Sequence, residues 1–440
     1  MANELELLRK GLSPLYAPSS DRMRIAIPDI AWGDSRERVL EFPDGWSVNV
    51  YRMRAYDERP INAEDIIRAL RSPVGSRPLR RLAEGREEVV VVFDDHTRPT
   101  RVMPIAEAIL RELKLAGISP DHIRFIAATG AHGAMSRIDF SKKLGEEILE
   151  EYPVYNHNPF HGCDHIGETR HGTPVEVNGE YLSCDLKIAV GCILPHPMFG
   201  FGGGPKIILP GMASINAISH NHGSVGGYVA GAKPHPSTGW GSVESNILLE
   251  DAWDFAKISG LDFKVDVIIN GFNDSTRIFC GDVMAKYRMG VECARTMYSS
   301  KVPEKYDVLV LNASSKSNEA VLALSAWGRC IKPGAIVIMI ADDPRGQVTH
   351  YAYGKFGKRR GGTIFNPPGK LGHVGKLIVY SRYPEADPQL PIAAEKMEWI
   401  RDWGEVLEEA MSAAGRRDLR AAIIPNADIQ CPEDALLRMR

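Results

Sequence analysis

From residue 89 onward the chain alternates short, unbroken apolar runs with longer stretches of helical period. Residues 89–93 (Val-Val-Val-Val-Phe), 123–128 and 186–194 are such runs. They suit strands buried on both faces of a sheet. Residues 103–115 carry apolar positions at helical spacing, and 136–152 predicts a further helix with Ser136 as N-cap. A strand at 263–270 and a helix at 282–300, capped by Asp282, follow. A fresh strand, helix and strand then read at 306–311, 319–330 and 334–341. A last strand at 421–425 is free to join either sheet. Ahead of all this, residues 40–51 predict two strands around an Asp44-Gly45 turn. The alternation predicts an α/β protein made of two α/β domains with mostly parallel sheets. The expected domains are 1–290 and 303–440, because Ser299, Ser300 and Pro303 break the pattern between them.

Composition narrows the class of partner. The 440 residues are 44% apolar and 25% charged, with a formal net charge of −3. That near neutrality argues against nucleic acid as the main partner. No apolar run approaches the roughly 18 residues that span a bilayer, and the first ten residues lack the core of a signal peptide. Seven cysteines without regular spacing suit reduced thiols, so a cytoplasmic protein is expected. The sequence does not set the oligomeric state. The basic, glycine-rich stretch 354–362 reads as a solvated loop or as the cover of a site.

Polar clusters follow the strands. Asp94-Asp95-His96-Thr97-Arg98-Pro99 follows the first, and Thr129-Gly130-Ala131-His132-Gly133 the second. Pro195-His196-Pro197-Met198-Phe199-Gly200-Phe201-Gly202-Gly203-Gly204-Pro205-Lys206 follows the third. Asn312-Ala313-Ser314-Ser315-Lys316-Ser317-Asn318 follows the first strand of the second domain. Ligands of open α/β sheets bind beyond the carboxyl ends of the strands. The loop 195–206 joins a proton-transfer group, His196, to an amine, Lys206, through four glycines. Glycine lets a backbone press against a flat ligand, so the loop reads as a cofactor or substrate cradle, or else as a tight surface turn. It is neither a Walker A loop nor a dinucleotide fingerprint, because Pro205 stands where each needs glycine. Arg98 suits a carboxylate clamp, or an ion pair with Asp94 or Asp95. His132 is a site group or a turn residue. Of His220 and His222, at most one enters the site. His157, His161, His165 and His171 read as loop, because Asn158-Pro159, Gly162 and Gly167 break a helix.

Taken together these motifs resemble the nickel-dependent lactate racemase family, over most of residues 20–300. The resemblance implies that Lys206 carries a nickel-pincer nucleotide, a pyridinium mononucleotide joined through a thioamide and holding nickel by two sulfurs and a ring carbon. It implies His222 as the fourth nickel ligand, and Gly202, Gly203, Gly204 and Thr129 as residues around the cofactor. His132 and His196 become paired acid/base groups. Arg98 becomes the substrate carboxylate clamp, with Asp95 beside it. The reaction implied is racemisation or epimerisation of a 2-hydroxy acid, by hydride transfer in a cleft that the second domain closes, after maturation enzymes have built the cofactor. Three positions depart from the family. Gly202 replaces a serine, Pro205 stiffens the loop, and Glu319 and Leu322 stand where lactate-specific members carry glutamine and lysine. Lys316 is the nearby cation that can take the lysine's place. A 2-hydroxy acid larger than lactate, or differently decorated, is therefore expected. The competing readings are a hydroxy-acid dehydrogenase or dehydratase, and a non-catalytic protein that stores the cofactor.

Overall fold

Two six-stranded sheets carry the molecule, and each reverses its strand order once. The computed structural model describes residues 23–29, 36–229, 232–352, 371–383 and 394–437. The first sheet runs, in spatial order, Ser275–Gly281, Phe263–Ile269, Leu186–Cys192, Val89–Asp94, Ile123–Ala128 and Val154–Asn156. All its neighbours are parallel except the first pair. The second runs Met397–Ile400, Lys376–Tyr380, Ile336–Ile340, Val308–Asn312, Arg420–Ile424 and Ser47–Val50, and is parallel throughout.

The apolar runs behave as their composition demands. All six residues of Val89–Asp94 and all five of Val308–Asn312 are buried. On the second sheet, alternate residues face two different cores. Val308, Val310, Ile338 and Ile423 meet Ile27, Leu40, Phe42 and Trp46 on one face. Leu309, Leu311, Val337 and Met339 meet Ala323, Leu324 and Trp327 on the other, in a core continuous with that of the first sheet. The helix Met103–Leu115 starts with Pro104 in its first turn and buries Ile105, Ala106, Ile109 and Leu113.

Four expectations are corrected. The strands around Asp44-Gly45 exist, as Arg36–Phe42 and Ser47–Val50, but they do not pair with each other. The first pairs with Met23–Asp29, and the second with Arg420–Ile424. Residues 23–29 and 36–50, placed in the first domain by the sequence, cover and extend the second sheet, where their apolar side chains find a core. The first domain also runs on past residue 290, because the helix Val283–Met297 packs on its sheet and ends only at Met297. The strand near 421–425 joins the second sheet, and only the segment after it returns, where Cys431–Pro432 pairs with Ser299–Ser300. The single helix predicted at 136–152 is two, broken at Gly145, whose φ of +83° a helix cannot hold. The basic stretch 354–362 lies outside the described residues.

The reversals set the site. In the first sheet the chain steps outward from Val89–Asp94 to one side, then comes back with Leu186–Cys192 on the other. The loops beginning at Asp95 and Ile193 therefore diverge and leave a crevice. In the second sheet the reversal lies between Val308–Asn312 and Arg420–Ile424. The two crevices face each other: Asn318 Nδ2 donates to His96 O at 3.3 Å. A strap from the second domain reaches across as well. Gly133 N–H donates to Thr349 O at 3.1 Å, and Tyr351 N–H to Ala131 O at 2.7 Å.

Candidate active site

Phe199 is the hub of the first-domain side of the cleft. Its ring centroid lies 3.3 Å from Lys206 Nζ, 5.4 Å from the His196 ring and 5.5 Å from the His222 ring. Three residues separated along the chain by up to 26 positions thus share one phenyl face or edge.

Lys206 sits on a short 3-10 turn, Gly204–Ile207, and is 9% exposed. The other buried lysines all have carboxylate partners: Lys143 with Asp94, Lys264 and Lys286 with Asp266, and Lys316 with Glu319. Among the described residues no carboxylate pairs with Lys206. Burial first, then the charges of Arg98 and Lys316, hold its pKa well below the ordinary lysine value. Both effects disfavour the ammonium and favour the nucleophilic, neutral amine.

The glycines before it serve packing. A Cβ on Gly203 would lie 2.8 Å from Cys192 O, and one on Gly204 would lie 2.5 Å from the Tyr287 ring. Both have positive φ, +78° and +54°. Gly204 N–H also donates to Asp266 Oδ2 at 2.8 Å. The Cβ side of each glycine is thus filled by protein, so neither position admits a side chain. The two glycines lock the loop on the strand ends and fix where Lys206 emerges. Gly202 bonds to Leu194 O at 2.7 Å, and Thr129 Oγ1 to His157 O at 2.9 Å, so these two hold loops.

His222 lies in a π-helical turn, His220–Val225, a wide form common at functional sites. Its Nδ1 is 3.1 Å from Ile218 O, which assigns the hydrogen to Nδ1 and leaves the Nε2 lone pair open. Burial, then Lys206, lowers its pKa to about 3, so the ring is neutral. His220 turns the other way, to Thr173 Oγ1 at 2.9 Å.

The two remaining histidines stand in opposite tautomers. His132 Nδ1 is 2.6 Å from Asp95 Oδ2, so it donates there and presents a bare Nε2. Burial alone would raise the Asp95 pKa, but His132, His96 and Arg98 hold it well below the carboxylate range. His196 Nδ1 accepts from the N–H groups of Met198 at 3.1 Å and Phe199 at 3.3 Å, so its neutral ring carries hydrogen on Nε2. The two histidines read as paired acid/base groups thus present, as neutral rings, one acceptor and one donor. Burial, then Lys206 and Arg98, hold the His196 pKa well below its ordinary value.

Arg98 does not pair with Asp94 or Asp95, which are taken by Lys143 and His132. Its Nη1 donates to Glu319 Oε2 at 2.9 Å and to Thr97 O at 3.1 Å. Among the described residues nothing bonds its Nε and Nη2 edge. Lys316 Nζ also grips Glu319 Oε2, and Lys316 N–H donates to Asp428. Glu319 and Lys316 therefore reach Arg98 from the second sheet.

Two residues of the site were not legible in the sequence. Phe199 stood inside the quoted loop, but nothing marked its ring as the shared surface. His350 comes from the strap; it forms an isolated bridge with His132, and their ring centroids are 5.0 Å apart. No motif surrounds it. The histidines from 157 to 171 lie along a loop and the hairpin Cys163–Glu168/Pro174–Asn178, with His157 buried against Ala213 O at 2.9 Å.

A two-domain α/β protein, with neutral histidines and an unpaired buried lysine where its two sheets reverse, is the class defined so far. Residues 33–230 match the family model described as lactate racemase N-terminal domain. The chain is 28% identical over 322 residues to the lactate racemase of Thermoanaerobacterium thermosaccharolyticum, covering 71% of this chain and 74% of that protein. It is 27% identical over 299 residues to that of Lactiplantibacillus plantarum, covering 66% and 69%. The fold matches the structure of the lactate racemase apoprotein from T. thermosaccharolyticum, with a TM-score of 0.69 at 24% identity over 93% of this chain and 99% of that one. A Thermotoga maritima protein matches with a TM-score of 0.57 at 17% identity, over 79% and 98%. The chain is thus similar to lactate racemases over most of its length, and its residues 33–230 to their N-terminal domain. Among the described residues no helix is long and apolar enough to cross a membrane.

Proposed function

We propose that this protein racemises or epimerises a 2-hydroxy acid with a nickel-pincer nucleotide held on Lys206. The observation that carries the proposal is the buried Lys206 amine, without a carboxylate partner and packed on the same phenyl ring as His222 and His196. The residues fit such a group. A neutral amine forms a thioamide, and an imidazole whose Nδ1–H is tied to a backbone carbonyl is a metal ligand with its orientation already set. Imidazole suits nickel. When bound, the group supplies a hydride acceptor, which spares the chain from making a carbanion beside a carboxylate.

The side chains do the rest. The open Nε and Nη2 edge of Arg98 receives the substrate carboxylate in two parallel hydrogen bonds. His132 takes the C2 hydroxyl proton on Nε2, and Asp95 stabilises the imidazolium that forms. His196 hydrogen-bonds the same oxygen through Nε2–H once it has swung to the opposite side of the carbon, and the proton held on His132 returns to that oxygen as the hydroxyl re-forms. The strap closes the cleft against water. All seven cysteines are free, which supports a reducing compartment such as the cytoplasm. Enzymes that build the cofactor are the implied partners.

Co-expression with those enzymes, intact-mass measurement, peptide mapping and nickel analysis test the proposal. An adduct on Lys206 with about one nickel per chain, lost in Lys206→Ala, is the expected result. Absence of both, under conditions that load a known lactate racemase, would refute it.

A further inference from the structure

We infer, on the reading of the cleft as a 2-hydroxy-acid site, that Glu319 selects a substrate with a second hydroxyl on C3, so that the preferred class is the 2,3-dihydroxy acids. The observation is how the two Glu319 oxygens differ. Oε2 is gripped by Arg98 Nη1 and by Lys316 Nζ. Oε1 has no donor at hydrogen-bond distance among the described residues, and His132 Nε2 lies 3.9 Å from it. In the neutral ring, which the role of base requires, Nδ1 donates to Asp95 and that nitrogen is an acceptor. The cleft therefore holds two acceptors side by side, and neither can satisfy the other.

Neighbouring hydroxyls on adjacent carbons answer that arrangement. The C2 hydroxyl donates to His132 Nε2, as the reaction requires, and the C3 hydroxyl donates to Glu319 Oε1. The carboxylate on C1 falls on the open edge of the same guanidinium whose Nη1 holds Glu319. Three polar groups on the substrate thus have three counterparts in the cleft, with Glu319 in contact with Arg98 and beside His132.

Charge agrees with the assignment. Two cations, Arg98 and Lys316, surround one carboxylate, which leaves one positive charge for the substrate's own carboxylate. A dicarboxylate would set its second anion against Glu319. Lactate carries a methyl at C3, and binding it would strip water from Oε1 without supplying a donor. A buried ionic acceptor left unpaired is the strongest form of such discrimination. For substrates with four or more carbons the product differs at one of several centres, and the reaction is then an epimerisation.

Glycerate and lactate differ by this hydroxyl alone. Calorimetric titration of the full, cofactor-free chain with each acid tests the inference without depending on turnover. Glycerate is expected to bind at least about tenfold more tightly than lactate, the strength of a hydrogen bond to a charged group. In Glu319→Gln the two cations draw the amide oxygen toward themselves and turn the amide NH₂ to the Oε1 position. An acceptor becomes a donor, and the glycerate preference is expected to collapse to about unity. Equal wild-type affinities would overturn the inference and leave the 2-hydroxy-acid reading standing. An unchanged ratio in Glu319→Gln would also overturn it. Failure to bind either acid would remove both.

Discussion

Asp95 acts on chemistry it never touches. It keeps the hydrogen on His132 Nδ1, and thereby decides that Nε2 is a base. Asp95→Asn leaves the shape intact but offers an amide that favours the other tautomer. In the cofactor-loaded enzyme kcat is expected to fall by roughly 10³–10⁴-fold with little change in KM, read from steady-state rates. A KM rise with kcat intact would show instead that the pair only shapes the substrate pocket. At the same scale, the four buried lysines with carboxylate partners make Lys206 informative by contrast. A lysine left alone in a low-dielectric site destabilises its own ammonium, and that cost is kept only where the free amine is used.

The loop that presents Lys206 depends on atoms behind it. Gly204→Ala combines a positive φ with a Cβ placed inside the Tyr287 ring. Urea unfolding is expected to show a loss of about 2–3 kcal/mol. A second loop, 157–162, is pinned by His157, whose pKa burial lowers from 6.5 to about 4. Between those values the unfolded chain binds more protons than the folded one, so stability is complete above about pH 6.5 and falls as pH drops toward 4. The whole loss is about 3 kcal/mol. In His157→Gln this part of the pH dependence is expected to flatten, seen by comparing urea midpoints at pH 7 and pH 5. Elements of this kind were partly legible. The strands at 89–93 and 123–128 and the helix at 103–115 follow from local pattern alone. The break at Gly145 has a local cause too, but a glycine at that point also suits a helix that continues.

At the scale of the molecule, the site exists only when the two domains meet. Arg345 of the strap reaches Asp139 of the first domain at 2.9 Å, and Asn318 reaches His96. Arg345→Ala is expected to raise KM by about 2–5-fold, the worth of a partly exposed ion pair, while the thermal midpoint changes little. An unchanged KM would mean that closure does not rest on this contact. The N-terminal hairpin belongs to the same level of organisation. Residues 23–29 and 36–50 precede the first sheet in the chain yet complete the second core, so removing them would expose Val308, Val310 and Ile338.

What the sequence by itself determined is the local material: buried parallel strands from unbroken apolar runs, and reactive residues at strand ends. Its motifs also carried the resemblance to the family. Only the tertiary structure decided which strands are neighbours, because Ser47–Val50 meets Arg420–Ile424 across almost the whole chain and no local pattern encodes that pairing. It alone decided the tautomers of His132 and His196, since a histidine's hydrogen is assigned by partners that packing brings up. It alone showed why Gly203 and Gly204 admit no side chain, which is the close approach of Cys192 O and the Tyr287 ring. And it alone set Glu319 with one oxygen between two cations and the other open to the cleft, a difference between two atoms of one side chain that a sequence letter does not contain.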